Sequence, residues 1–173
     1  EGIDFGKPFG LLGLNATRST WVTFDNAFIP QEQVLSEDFQ NYMLAIRPAF
    51  VLGQIAECLG VAEAANAAAQ PKLAGIKKTF LPDHGRSVEF TADVAERWSA
   101  LVEQVHSGGS IDDVVALLEL RLDASEAAVT AANIEVRVAG GAGYASSSST
   151  SRRYREASFI PVQSPSEAQL SFQ

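Results

Sequence analysis

The residues best suited by type and spacing to do chemistry cluster in the last third of the chain. Gly140-Gly141-Ala142-Gly143-Tyr144 closes a long helical pattern. One or two of its glycines suit a helix C-cap, where left-handed backbone favours glycine. A third glycine followed by an aromatic asks for close backbone approach, by a neighbouring helix or by a ligand. The run does not follow a strand, so it is not a Rossmann-type dinucleotide fingerprint. Ser146 to Ser149 reads as a polar turn rather than a phosphate site. Cys58 and His106 fall in helical runs with nothing spaced to complete a triad, so they read as a core thiol and a helix-end imidazole. His84, in a loop-like stretch, signals nothing further. One cysteine and two distant histidines make neither a Cys-based zinc site nor a His-rich one, and no metal is expected.

The pattern supplies a helical scaffold for these residues. From Ser36 onward apolar positions recur at three- and four-residue steps: Phe39, Tyr42, Met43, Ile46, Phe50, Ile55, Leu59 and Ala62 predict one helix over 38–70. Pro48 either kinks it or opens its main part at N1. A loop with Gly75, Pro82 and Gly85 follows, then a third element from Thr91 to His106, ended by Ser107-Gly108-Gly109. Ser110 to Ala139 is the clearest segment, with Ser110 as N-cap, Asp112 and Asp113 in the first turn, and Leu118, Leu122, Ser125, Val129, Ala132, Val136 and Ala139 facing inward. Arg152 to Phe159 and Ser166 to Phe172 read as short helices. Residues 1–35 differ: Trp21-Val22-Thr23-Phe24 has strand character and Ala27-Phe28-Ile29-Pro30 makes a second extended piece. Two short strands bury little alone. The expected architecture is mainly α: an antiparallel four-helix bundle over 36–173, preceded by a short β remnant over 1–35.

Composition narrows the function classes. With 173 residues, 13 Lys+Arg against 21 Asp+Glu and a net charge of −8, the chain lacks the basic footprint of a nucleic-acid or anionic-membrane binder. No charge-free apolar run of spanning length is apparent, so no membrane span is expected. A lone cysteine suits a reducing, cytoplasmic compartment. The chain opens on Glu1 and its one methionine is Met43, which reads as a piece of a larger protein rather than a translation start.

The order of the motifs carries a resemblance. Gly13-Leu14-Asn15-Ala16-Thr17-Arg18-Ser19 precedes Val22-Thr23-Phe24-Asp25-Asn26, then Pro30 and Val34-Leu35. Arg47-Pro48 opens an alanine-rich helix, and Lys77-Lys78-Thr79-Phe80 follows it. Then come Gly140-Gly141-Ala142-Gly143-Tyr144, Arg152 to Ala157, and Ser166-Glu167-Ala168-Gln169. Over essentially its whole length this succession resembles the C-terminal part of the acyl-CoA dehydrogenase family of flavoproteins. The resemblance implies the last strands of a middle β-domain, a C-terminal four-helix bundle, FAD between them, and a homo-oligomer through the helical bundle, dimer or tetramer, with adenosine reaching a neighbouring subunit. By position, Lys77 and Thr79 resemble an arginine and a threonine near the FAD pyrophosphate. Arg137, Gly140 and Gly141 resemble a glutamine and glycines near the adenine. A cation balances a diphosphate and glycine lets backbone approach it.

The catalytic residue stays unknown. In this family a carboxylate removes the substrate's α-proton while hydride passes to the flavin. Anchoring on Ser166-Glu167-Ala168-Gln169 puts Gln163 at the usual base position. Anchoring on Arg155 puts Ser164 there, and the alternative base position falls on Ile46. None is an acid, and an amide cannot take the proton. Three readings follow: a dehydrogenase of acyl-CoA or a similar substrate, with a base from the part preceding Glu1 or from Glu167; a flavin monooxygenase on the same fold, where reduced flavin activates oxygen and needs no α-proton base; or a non-catalytic helical partner subunit that completes another chain's FAD site.

Overall fold

A computed structural model describes residues 1–172. It has the expected class, 69% helical with a two-stranded antiparallel sheet. Contacts divide the chain into two units, Glu1–Ile46 and Arg47 onward.

In the first unit, β1 (Ile3–Phe5) pairs antiparallel with β2 (Val22–Phe24), Asp4 opposite Thr23. The partner of the aromatic strand is therefore the N-terminal segment, not 27–30, where no strand forms. Gly2 explains part of this: a Cβ there would meet the Asp25 carbonyl and Ala27 backbone, at φ +83°. Phe9 stacks edge-on against Trp21 with ring centroids 5.5 Å apart. Both strands remain exposed throughout.

Three long helices build the second unit's core. Helix α1 (Phe39–Ala69) runs without interruption through Pro48. Helix α2 (Leu81–His106) starts ten residues before the predicted Thr91. Pro82 and Gly85, read from sequence as loop markers, lie in its first turns, where proline's missing N–H has no carbonyl to lose. Two 3-10 turns, Gln70–Lys72 and Gly75–Phe80, join α1 to α2. Helix α3 (Val114–Ala139) is capped by Asp113, whose carboxylate accepts from Ala116 N at 2.9 Å. Ser110 instead donates to Asp112 Oδ1, so the predicted cap moves by three residues. Short helices α4 (Gly141–Tyr144), α5 (Ser149–Ala157) and α6 (Glu167–Leu170) finish the chain.

Cross-links give the directions. Trp98 Nε1 donates to Leu52 O and Asn66 Nδ2 to Thr91 Oγ1, so α1 and α2 are antiparallel. Arg97 pairs with Asp123 while Arg137 sits over Phe80, so α2 and α3 are antiparallel too. The core combines Val51, Ile55 and Cys58 of α1, Val94 of α2, Leu117 and Leu120 of α3, with Ile160 and Leu170 closing it from the C-terminal segment. A second buried layer is alanine, including Ala62 and Ala65 of α1 and Ala127 and Ala131 of α3.

The buried face of α3 includes Leu118, Ser125 and Ala132 of the predicted inward set but is rotated from the rest of it. Leu122, Val129, Val136 and Ala139 are only half-buried, whereas Leu117, Arg121, Ala124, Ala128, Ala131, Glu135 and Val138 are fully buried. One helix bears on the membrane expectation. Phe39–Lys72 is long and apolar enough to cross a membrane by length and composition. Within the protein Val51, Leu52, Ile55, Cys58 and Leu59 of that stretch are core residues.

Candidate functional site

Two groups of candidate residues lie at different stations along α3. The first surrounds its C-terminal end. Arg137, in the last turn, holds its guanidinium carbon 4.5 Å from the centre of the Phe80 ring. That cation–π contact seats the Gly75–Phe80 turn beside the end of α3. It thereby brings the segment of Lys77 and Thr79 together with Arg137, Gly140 and Gly141. Lys77 is half-buried, and Thr79 and Arg137 are exposed. The Thr79 hydroxyl donates to Ile76 O at 3.1 Å, so its one proton is already committed.

Gly140 ends α3 at φ 66° and ψ −153°. That region is essentially closed to residues with a Cβ. At Gly141 an added Cβ would meet nothing within 4 Å, leaving open space against the backbone. Gly143 behaves in the opposite way: a Cβ there would overlap Ala139 and come within 3.1 Å of Thr150 Cγ2. The neighbour that its backbone approaches is therefore protein. Ser148 of the polar turn donates to Gly143 O at 2.6 Å and caps α5 by accepting from Ser151 N at 2.9 Å.

A buried ion pair fixes this corner. Glu135 is fully buried and receives two bonds from Arg153, each 2.8 Å, plus one from Thr150 Oγ1 at 2.7 Å. Burial alone pushes its pKa up, but the bonds from Arg153 and Thr150 outweigh that and hold the carboxyl below the ordinary carboxylate range. Its bond to Glu135 raises the Arg153 pKa against the opposing effect of burial. The pair pins α5 onto α3 next to the glycines. From sequence, a Glu on a long helix reads as a solvated charge; its partners lie 15 and 18 residues onward.

Beside Arg137 an open groove of about 520 Å³ runs between α2 and α3. Phe90, Val129 and Ile134 line it together with the charges of Arg86, Asp83, Glu126 and Arg137. Arg86 is paired with Asp83 at 2.5 Å, which leaves the Arg137 guanidinium, the open glycine backbone and the apolar floor as the groups suited to a dinucleotide. The residues present therefore fit FAD at its diphosphate and adenosine end.

The second group lies sixteen residues earlier on α3, roughly 24 Å along the helix. Gln163 follows the 3-10 turn Ile160–Val162. Its Oε1 accepts from Arg121 Nη2 at 3.4 Å, and its Nε2 donates to Glu57 Oε2 at 3.1 Å. Ser164 is exposed and its carbonyl accepts from Gln54 Nε2 at 2.9 Å. Glu167 is exposed in the first turn of α6, whose capping box joins Ser166 and Gln169. Ile46 belongs to the first unit. The Gln163 amide is thus engaged on both ends, and the acid beside it, Glu57, was not singled out in the sequence.

The remaining candidates are structural. Cys58 is buried in the core and burial pushes its thiol up to about 11, which removes nucleophilic character. His106 ends α2, exposed. His84 is not in a loop: it is buried in α2, with Nε2 3.0 Å from Asn66 O. It borders a network in which Ser87 donates to Asn66 and Asn66 to Thr91.

Comparison with known proteins agrees with this architecture. No family model matches the chain. The short-chain specific acyl-CoA dehydrogenase of pig mitochondria is 25% identical over 177 residues, covering 93% of this chain and 41% of that protein. The acyl-CoA dehydrogenase from Geobacillus kaustophilus superposes with a TM-score of 0.89 at 17% identity, covering 99% of this chain and 47% of that one. Butyryl-CoA dehydrogenase from Megasphaera elsdenii gives 0.83 at 18%, covering 99% and 47%. XiaF from Streptomyces sp., solved with FADH2 and glycerol, gives 0.74 at 22%, covering 94% and 49%. The chain therefore has the fold of the C-terminal half of acyl-CoA dehydrogenases, and spans less than half the length of these proteins.

Proposed function

We propose that this chain supplies the C-terminal helical half of an FAD-dependent oxidoreductase acting on an acyl-CoA or a similar substrate. The observation that carries this reading is the corner at the end of α3. There the Arg137–Phe80 contact gathers Lys77, Thr79, Gly140 and Gly141 within one acyl-CoA dehydrogenase fold. Lys77 and Arg137 would balance the diphosphate, and the Gly140-Gly141 backbone would face the cofactor's adenosine side. Phe90, Val129 and Ile134 give the adenine an apolar floor. Bound flavin supplies two-electron transfer chemistry; these residues bind and orient it. A homo-oligomer, dimer or tetramer, and an acceptor of electrons complete the proposal, in a reducing compartment suited to one buried thiol.

The monooxygenase reading is favoured over ordinary dehydrogenation by one specific feature. Neither Gln163 nor Ser164 can accept a proton as a carboxylate does, and Gln163 is held between Arg121 and Glu57. A flavin reduced by an external reductant, and not by the substrate's own C–H bonds, can activate oxygen with no α-proton base. The test uses the full-length protein and its Gln163→Glu variant, assayed with acyl-CoA plus an artificial acceptor and, separately, with reduced flavin plus oxygen. A colourless protein that takes up no flavin would end the proposal. Expected is flavin oxidation by oxygen in the wild type, with no dehydrogenase activity gained by Gln163→Glu.

A further inference from the structure

Arg121 is the largest side chain buried to within 2% exposure, at 1%. A guanidinium carries several N–H donors, and burying its charge without partners is costly. Yet its Nε and Nη1 have no partner among the described residues. Nη2 donates to Ile160 O and to Gln163 Oε1, both at 3.4 Å. Among the described residues no carboxylate touches it; Glu57 is reached only through the Gln163 amide. From α1, Gln54 is 4% exposed, donates to Ser164 O at 2.9 Å, and leaves its own Oε1 unpaired.

Two buried, half-satisfied polar side chains from different helices thus direct every side-chain bond they make to one stretch, Ile160–Ser164. A core built for stability alone would do as well or better with an apolar side chain at 121. Ile160 and Leu170 anchor the two ends of the C-terminal segment in the core. Between them, its hold on α1 and α3 includes the polar contacts of Gln54, Glu57 and Arg121.

We propose that Arg121 is a positioning residue. With Gln54 as its counterpart it sets the backbone of 160–164 and so fixes where residues 163 and 164 stand at the reaction site. This rests on the reading above that these two residues border the flavin and substrate. Neutral amide at 163 serves the latch directly: it accepts from Arg121 on one side and donates to Glu57 on the other, which a carboxylate could not do.

The test compares Arg121→Met, Arg121→Lys and Gln54→Leu in the full-length protein by hydrogen exchange and by turnover. Arg121→Met should lower protection of the Val162, Gln163 and Leu170 amides by about tenfold or more, leaving Ala128 to Val138 within about twofold. Arg121→Lys should restore most of it, and Gln54→Leu should give a smaller loss at the same amides. With flavin bound, kcat should fall about tenfold in Arg121→Met while KM stays within about threefold. Unchanged protection at 162–170, an equal loss over all helices in both Arg121→Met and Gln54→Leu, or unchanged kcat despite lost protection would overturn the proposal. Exchange needs no cofactor: a protein without flavin that still shows the local loss keeps the latch and loses the functional reading.

Discussion

Glu135 shows how a single charge can be stable with almost no water around it. Its carboxyl stays ionised because Arg153 and Thr150 bond the charged form more strongly than burial disfavours it. A carboxyl whose folded pKa lies below its unfolded value adds stability that is fully present above the unfolded pKa, about 4.5. That stability is lost as pH falls through the folded value. Urea midpoints of the wild type should therefore decline below about pH 4.5 more steeply than those of Glu135→Gln. At neutral pH the variant should be less stable by about 3 kcal/mol, because Arg153 loses the charge that offsets its own burial. Parallel pH profiles for the two proteins would show that the ion pair contributes nothing. Neither Glu135 nor Arg121 was legible in the sequence. The apolar spacing of the helix singles out neither, and what buries them is chain brought back from 18 and 42 residues away.

Helices are legible where apolar spacing is long and regular, and their starts are hidden where a proline or glycine sits inside the first turns. α1 and α3 follow the pattern within a few residues. The start of α2 is hidden because Pro82 and Gly85 carry loop statistics, although proline in a first turn costs a helix nothing. The glycine run between α3 and α5 was legible as a helix stop, but its members do different things, and substitution separates them. Gly143→Ala should cost about 2 kcal/mol or more, since Ala139 and the Thr150 methyl leave its Cβ no room. Gly141→Ala should leave thermal stability within about 0.5 kcal/mol, because nothing lies where its Cβ would stand. Any loss of flavin affinity in Gly141→Ala then reports the cofactor contact rather than folding. Equal melting temperatures for Gly143→Ala and wild type would mean that α4 does not pack on α3 as described.

At the scale of the whole molecule, the chain holds a complete helical core and an incomplete surface. Its second unit buries apolar side chains from all three long helices and both ends of the C-terminal segment. Its first unit, by contrast, leaves Phe5, Trp21, Phe24, Phe28 and Leu35 between 65% and 84% exposed. Exposed aromatics in such number mark surface made for contact. A cofactor site gains its affinity by enclosing the ligand, and at the Gly140–Gly141 corner and along the α2–α3 groove the protein offers one open side. The 173-residue chain alone should therefore bind FAD weakly, with a Kd of roughly 10 μM or above, and should self-associate as its concentration rises. Titration calorimetry and sedimentation velocity read the two effects independently. Tight one-to-one FAD binding by this chain would place the whole cofactor envelope within these residues. A monomer at every concentration would mean that the exposed aromatics of 5–35 cover one another in solution. Weak binding alongside association would instead match a chain that spans less than half of the proteins whose fold it shares, with the rest of the envelope contributed from outside it.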